Sequence, residues 1–149
     1  MEIDKFNSPQ RRREKAHTPM NSKDEINRIA GLILDAAIEV HRNLGPGLLE
    51  SVYEAVMENE LINTYGLKVS RQRGIPVMWK GIRLELGFRS DLIVEEKVIV
   101  ELKSVELMPP VYPKQVLTHL RLTNLKLGML INFNVPLLKD GIKRIVNNL

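Results

Sequence analysis

Cysteine is absent from this chain. That excludes disulfides, zinc–thiolate sites, iron–sulfur clusters and a thiolate nucleophile. Aromatic residues make up only 5% of the sequence, too few to line a stacking groove for single-stranded nucleic acid. No apolar run approaches the roughly 18 residues of a membrane span. The opening stretch, MEIDKFNSPQRRREKAH, lacks the apolar segment of a signal peptide. The expected compartment is therefore the cytoplasm, with no membrane partner.

What is present fits one domain. The 149 residues are 44% hydrophobic and 27% charged. That is enough chain to bury a core, and too little for two ordinary domains and a linker. The formal net charge is +4, a mild bias toward anionic partners. Residues 1–20 carry five basic groups (Lys5, Arg11, Arg12, Arg13, Lys15) against three acids (Glu2, Asp4, Glu14) and show no hydrophobic period. They read as a flexible basic tail, with the domain at 21–149. Arg11–Arg13 is either a solvated charge run or a non-specific phosphate contact.

The domain opens on a helix signal. Ser22-Lys23-Asp24-Glu25 has the capping-box form. Ile26, Ile29, Ile33, Ala37, Val40 and Leu44 then recur at helical spacing, as one buried stripe. Leu44-Gly45-Pro46-Gly47 breaks it. A second helix is predicted from Leu48 to Tyr65 with Leu49, Val52, Val56 and Leu61 inward, capped by Gly66. Strand character follows at Val69 to Arg71, Pro76 to Trp79 and Ile82 to Phe88, with Lys80-Gly81 as a hairpin turn between the last two. Arg89 to Val94 and Val98 to Lys103 flank the short loop Glu95-Glu96-Lys97. Met108 to Pro113, with three prolines, reads as neither helix nor central strand. Pro113 can open a helix through Leu122 with Val116, Leu117 and Leu120 inward. Leu127 to Phe133 reads as a strand buried on both faces. Ile142 to Val146 is a last short strand or helix. The order predicts a mixed α/β single domain.

The chemistry concentrates at Asp91 and Glu101-Leu102-Lys103. Side chains alternate along a strand, so Glu101 and Lys103 share one face. A three-residue loop at 95–97 pairs Val94 with Val98 and puts Asp91 opposite Glu101, with Cβ atoms ~5 Å apart. A two-residue loop would shift the parity and separate them. Adjacent carboxylates repel, and a divalent cation converts the pair into a hard-oxygen metal site. With Lys103 beside them to offset negative charge, these are the parts needed to hydrolyse a phosphodiester. The plain alternative is an amphipathic hairpin with its charges in solvent. Against it, the charges follow the apolar run Val98-Ile99-Val100, where a buried sheet opens, and a proline-rich loop comes next.

Gly47-Leu48-Leu49-Glu50-Ser51-Val52-Tyr53 matches G-x-x-E-x-x-Y. His41 and Leu44-Gly45-Pro46 precede it. Asp91, Glu101-x-Lys103, Gln115 and Leu130-Ile131-Asn132-Phe133 follow in order. Over residues 24–146 this set resembles the GxxExxY protein family, a branch of the PD-(D/E)XK nuclease superfamily. The resemblance implies a restriction-endonuclease-like core, a mixed central sheet flanked by helices. It implies a metal-dependent nuclease using Mg²⁺ or Mn²⁺ on nucleic acid, with DNA as the leading substrate. By the same likeness Asp91 and Glu101 are metal ligands, Lys103 is the catalytic lysine, Glu50 is an additional acidic site residue placed with the metal ligands, and Gln115 lines the site. The chain departs from the family pattern in three places. His119 stands where a tyrosine is common, Asn134 where a glycine often follows Asn-Phe, and Arg89-Ser90 precedes Asp91 without the proline of the superfamily name.

Read from the residues alone, several of these positions have simpler roles. Glu50 falls in a first helical turn, where a carboxylate suits the helix dipole, and His41 suits a helix C-terminus. Tyr53 fits a packed aromatic with a satisfied hydroxyl. His119 shares a helix face with Gln115 and belongs either to the site edge or to a solvated surface. The other function class is a non-catalytic module on the same fold that binds nucleic acid or protein. With no separate recognition module in so short a chain, specificity falls to a partner or a homodimer.

Overall fold

The computed structural model describes residues 22–149. The expected basic tail, residues 1–20, lies outside them. Helix α1 spans Ser22–Leu44, α2 Glu50–Asn63 and α3 Val111–Thr123. Strands β1 (Val69–Trp79), β2 (Ile82–Val94), β3 (Val98–Lys103), β4 (Leu127–Asn132) and β5 (Ile142–Val146) form one sheet in that order. All neighbours are antiparallel except β3 and β4, which α3 connects in parallel. The domain is thus the expected mixed α/β fold, a sheet flanked by helices.

The two faces of the sheet bury different residues. On one side α1 contributes Ile26, Ile29, Ala30, Ile33, Ala36, Ala37 and Val40. They meet Val98, Val100 and Leu102 of β3 and Leu127, Met129 and Ile131 of β4. On the other side Ile93, Ile99 and Leu130 meet Val116 and Leu120 of α3. Every residue of β4 is buried, which is why its sequence is apolar up to the closing Asn132. Gly128 lets α3 come close: a Cβ there would stand 2.5 Å from Val116 Cγ1.

The helical stripe of α1 holds except at its end. Leu44 is exposed, because the helix stops there: Gly45 turns left-handed (φ +70°) and its N–H donates to the His41 carbonyl at 2.8 Å. The predicted inward face of α2 holds at Leu61 and needs correction elsewhere. Leu49 and Val52 are exposed and Val56 is half-buried, whereas Tyr53, Met57 and Leu61 are fully buried. Two apolar rows compete on this helix, and the row that carries the large aromatic wins the core. The Tyr53 ring stacks on Phe133 with centroids 4.4 Å apart. Its hydroxyl donates to the Gly45 carbonyl at 2.5 Å and accepts the Leu48 N–H at 3.2 Å. His41 Nε2 lies 2.8 Å from the Val135 carbonyl, so His41 anchors the loop after β4.

Three strand and loop boundaries also shift. β1 runs unbroken through 72–75, where the sequence shows no alternation, with a register shift between Ile75 and Val77. β2 is continuous across Phe88 and Arg89. Helix α3 starts at Val111, two residues before Pro113. Proline is tolerated there because first-turn N–H groups have no helical acceptor in any case. Gly66 and the Lys80-Gly81 turn are as expected, with φ +67° at Gly66 and φ +46° and +78° across the turn. Ile142 to Val146 is a strand.

Candidate active site

The β2–β3 hairpin has the register that the loop length implies: Val94 pairs with Val98, Ile93 with Ile99 and Leu92 with Val100. Glu95 and Glu96 supply the turn with φ +53° and +56°. The next pair along would be Asp91 and Glu101. Alternation then turns Asp91, Glu101 and Lys103 toward the α3 face, the face of Ile93 and Ile99. The apolar part of that face is filled by Val116 and Leu120. Beyond it the helix and sheet part around a cavity of about 280 Å³ lined by Asp91, Glu101, Lys103, Gln115, His119 and Tyr112, with Arg89 and Phe88 at its wall. Four of the five residues expected at a site, Asp91, Glu101, Lys103 and Gln115, therefore line one cavity.

Glu50 is not among the lining residues. It is exposed at the first position of α2, and its side chain makes no hydrogen bond or ion pair to a described residue. The segment entering α2 nonetheless reaches the same end of the sheet: the Ser104 hydroxyl, next to Lys103, donates to the Leu48 carbonyl at 2.6 Å.

The electrostatics are those of a crowded acid pair. Burial and the neighbouring Glu101 carboxylate push the Asp91 carboxyl from 3.8 up to about 6. The Leu102 N–H, donating to Asp91 Oδ2 at 2.9 Å, and the Lys103 charge hold it down in part. Glu101 is buried, with the buried Ser90 hydroxyl 3.3 Å from its Oε1. His119 Nδ1 lies 3.8 Å from the same oxygen, and its ring stacks on Phe88 within 9°. Lys103 Nζ sits 4.4 Å from the Tyr112 ring centroid, which fixes the ammonium beside the acids.

Sequence reasoning missed two contributors, Gln72 and Glu54, and did not read the role of a third, Asn132. Gln72 carries φ +53° and its amide N–H₂ bridges Glu54 Oε1 (2.7 Å) and Asp91 Oδ1 (3.3 Å). Glu54, buried on α2, also accepts from Arg71 Nε at 3.0 Å. Asn132, opposite Lys103 on β4, accepts the Val105 and Asn134 N–H groups at 3.1 Å each and donates to the Val105 carbonyl at 2.9 Å, clamping the loop that leaves the site. The Asn132-Phe133 pair was visible as a motif. The Glu54–Gln72 link had no signal, because it depends on an irregular backbone angle.

Two carboxylates held this close fit a small, hard divalent cation. Mg²⁺ typically takes one or two protein carboxylates and fills its remaining positions with water and phosphate oxygens. Among the described residues no three His, Asp or Glu side chains are placed to hold a metal ion together. The donor set therefore suits an ion that keeps solvent ligands.

The sequence profile of the PD-(D/E)XK nuclease superfamily matches residues 27–145, and the chain belongs to that superfamily. No curated protein and no solved structure gives a significant match. No described helix is long and apolar enough to cross a membrane.

Proposed function

We propose that the chain is a divalent-metal-dependent nuclease of the GxxExxY branch that hydrolyses phosphodiester bonds in nucleic acid, with DNA the leading substrate. The observation that carries this reading is the convergence of Asp91, Glu101 and Lys103 in one cavity with Asp91 held near neutral pKa. A perturbed carboxyl in a cleft, beside a second acid and a lysine, marks a site built for charge.

Asp91 and Glu101 hold Mg²⁺ or Mn²⁺. When bound, the ion supplies Lewis acidity and a water of lowered pKa. Lys103, kept in place by Tyr112, offsets the charge that develops on the phosphate oxygens. Gln115 on α3 orients a phosphate oxygen or a water through its amide. Arg89 at the cavity wall contacts the neighbouring backbone phosphate. Glu54, through Gln72, keeps an N–H aimed at Asp91 Oδ1 while the Leu102 N–H holds Oδ2, so the carboxylate is oriented from both oxygens. Glu50 is assigned an outer role, acting through water at the sheet end where Ser104 holds Leu48.

The test is to incubate the purified protein with labelled single- and double-stranded DNA and RNA in Mg²⁺, Mn²⁺ or chelator, beside Asp91→Ala. Cleavage by the native protein that chelator and Asp91→Ala both abolish supports the reading. Tight binding with no cleavage of any substrate would make the chain a binding module instead.

A further inference from the structure

The β1–β2 hairpin runs on past the rest of the sheet. β2 pairs with β3 at Leu92 to Val94, whereas its pairing with β1 continues out to Trp79 and Ile82. Ile75 and Phe88 still belong to the apolar cluster under α3. Beyond them the hairpin is a two-stranded ribbon with an open end: Met78, Trp79, Ile82 and Leu84 are between 43% and 61% exposed. The pairs Val77–Leu84 and Trp79–Ile82 set four apolar side chains on one face. Apolar patches kept in water mark surfaces that meet a partner. Charge says which partner. Residues 72–90 carry four basic side chains (Arg73, Lys80, Arg83 and Arg89) and one acid, Glu85, while the other described residues carry 13 basic and 14 acidic ones. The positive excess of the described chain thus sits on the ribbon. Arg73 pairs with Glu96 and Arg83 with Glu85 at the surface, where ion pairs are weak and yield to a stronger anion. Lys80 Nζ lies over the Trp79 ring, 5.5 Å from its centroid. A second copy would bring a ribbon of like charge to a two-fold contact, so the patch suits an anionic polymer.

We propose that the ribbon at 76–84 is an arm that enters the major groove of duplex DNA whose backbone lies at the acid cavity. This deepens the nuclease reading and rests on its nucleic-acid partner. Phe88 and Arg89 line that cavity, so arm and cavity share one strand. Six steps along β2 separate Phe88 from Ile82, ~20 Å of strand, or about six base pairs at ~3.4 Å each. The major groove of B-DNA, ~12 Å wide, admits a two-stranded ribbon, and the minor groove, ~6 Å wide, is too narrow for it. The major groove of A-form RNA is narrow and closed to side chains. A single strand offers no groove, and one tryptophan makes no series of stacking faces. In the groove Trp79 and Ile82 meet base edges and thymine methyl groups, and Lys80 and Arg83 meet the flanking phosphates.

Fluorescence anisotropy with the full chain in chelator, where ion-dependent cleavage is silent, reads binding to a labelled DNA duplex, to one of its single strands and to the matching RNA duplex. The DNA duplex should bind at least about ten-fold more tightly than either of the others. Trp79→Ala should weaken the duplex by about ten-fold and leave the single strand within about two-fold. Lys80→Ala should lower the slope of log affinity against log salt by about one. Both side chains are exposed, and thermal unfolding close to that of the native protein shows that the variants are folded. Duplex binding that depends on Trp79 supports the arm even where no substrate is cut, a result that would refute the nuclease reading alone. DNA cleavage by the native protein, with duplex affinity unchanged in Trp79→Ala, would overturn the arm and leave the nuclease standing. Sedimentation of the native protein as a dimer that Trp79→Ala splits, at unchanged DNA affinity, would assign the face to a second copy and overturn the proposal. Equal affinity for single strand and duplex would overturn it as well.

Discussion

Asp91→Asn should stabilise the metal-free protein. The native Asp91 carboxyl keeps its proton up to about pH 6, whereas an unfolded aspartate loses it near 3.8. Between those values the folded state binds more protons than the unfolded one, so stability falls as pH rises through that window and stays lower above it. A displacement of that size corresponds to ~3 kcal/mol for a fully desolvated group. Asp91 is only half-buried, so solvent screening reduces it to ~1–2 kcal/mol. Asparagine keeps an oxygen for the Leu102 N–H but presents an N–H₂ to that of Gln72, at a cost below ~1 kcal/mol for so long a hydrogen bond. The net expectation is about 1 kcal/mol of added stability at pH 7, or about 3 °C in Tm, vanishing at pH 4. Urea unfolding in chelator at the two pH values measures it. In Mn²⁺ the order should invert, because the ion stabilises only the protein that binds it. A variant that is less stable than the native protein at pH 7 in chelator, or equally stabilised at pH 4, would refute the acid-pair argument.

Ion binding to the native protein should strengthen as pH rises through about 6, as Asp91 gives up its proton; calorimetry at pH 5 and 7 reads the difference. Tyr53→Phe should cost ~1–2 kcal/mol in urea unfolding, because it strips the Gly45 carbonyl and the Leu48 N–H of their partner, and should leave ion affinity little changed, since Tyr53 does not line the acid cavity. Gly128→Ala should cost ~1–3 kcal/mol in the same unfolding assay, since the new methyl drives Val116, and with it the helix carrying Gln115 and His119, off the sheet. Deleting residues 1–20 removes five basic and three acidic groups and should weaken nucleic-acid binding more at low salt than at high salt; an unchanged low-salt affinity would show that the tail makes no phosphate contact.

The hairpin was readable because it depends on parity. A loop of three residues and strict alternation are enough to bring Asp91 and Glu101 to one face, and the observed register of Val94 with Val98 follows. The α1 stripe was readable for the same reason, a strong period over many residues. Helix α2 was readable only at Leu61, since Leu49, Val52 and Val56 compete with Tyr53 and Met57. The decision falls to Phe133, a residue some 80 positions away that offers its ring to Tyr53. Glu50 drew attention through its motif, yet it stays exposed outside the cavity. Gln72 and Glu54 drew none, because their link to Asp91 needs a left-handed backbone angle inside a strand. The setting of His119 is likewise a property of packing: sequence puts it one turn from Gln115, and only the fold brings it to Glu101.

The most direct test of the central claim is single-turnover cleavage of a labelled nucleic acid in Mn²⁺ by the native protein and by Lys103→Met, with ion affinity measured on the same samples. Methionine keeps most of the apolar stem against Tyr112 and removes the charge. The expected result is cleavage by the native protein and a rate lower by about 10²–10³ in the variant, as for loss of a group that stabilises transition-state charge, at equal ion affinity. Equal rates in the two proteins, or no cleavage of any substrate by the native one, would contradict it.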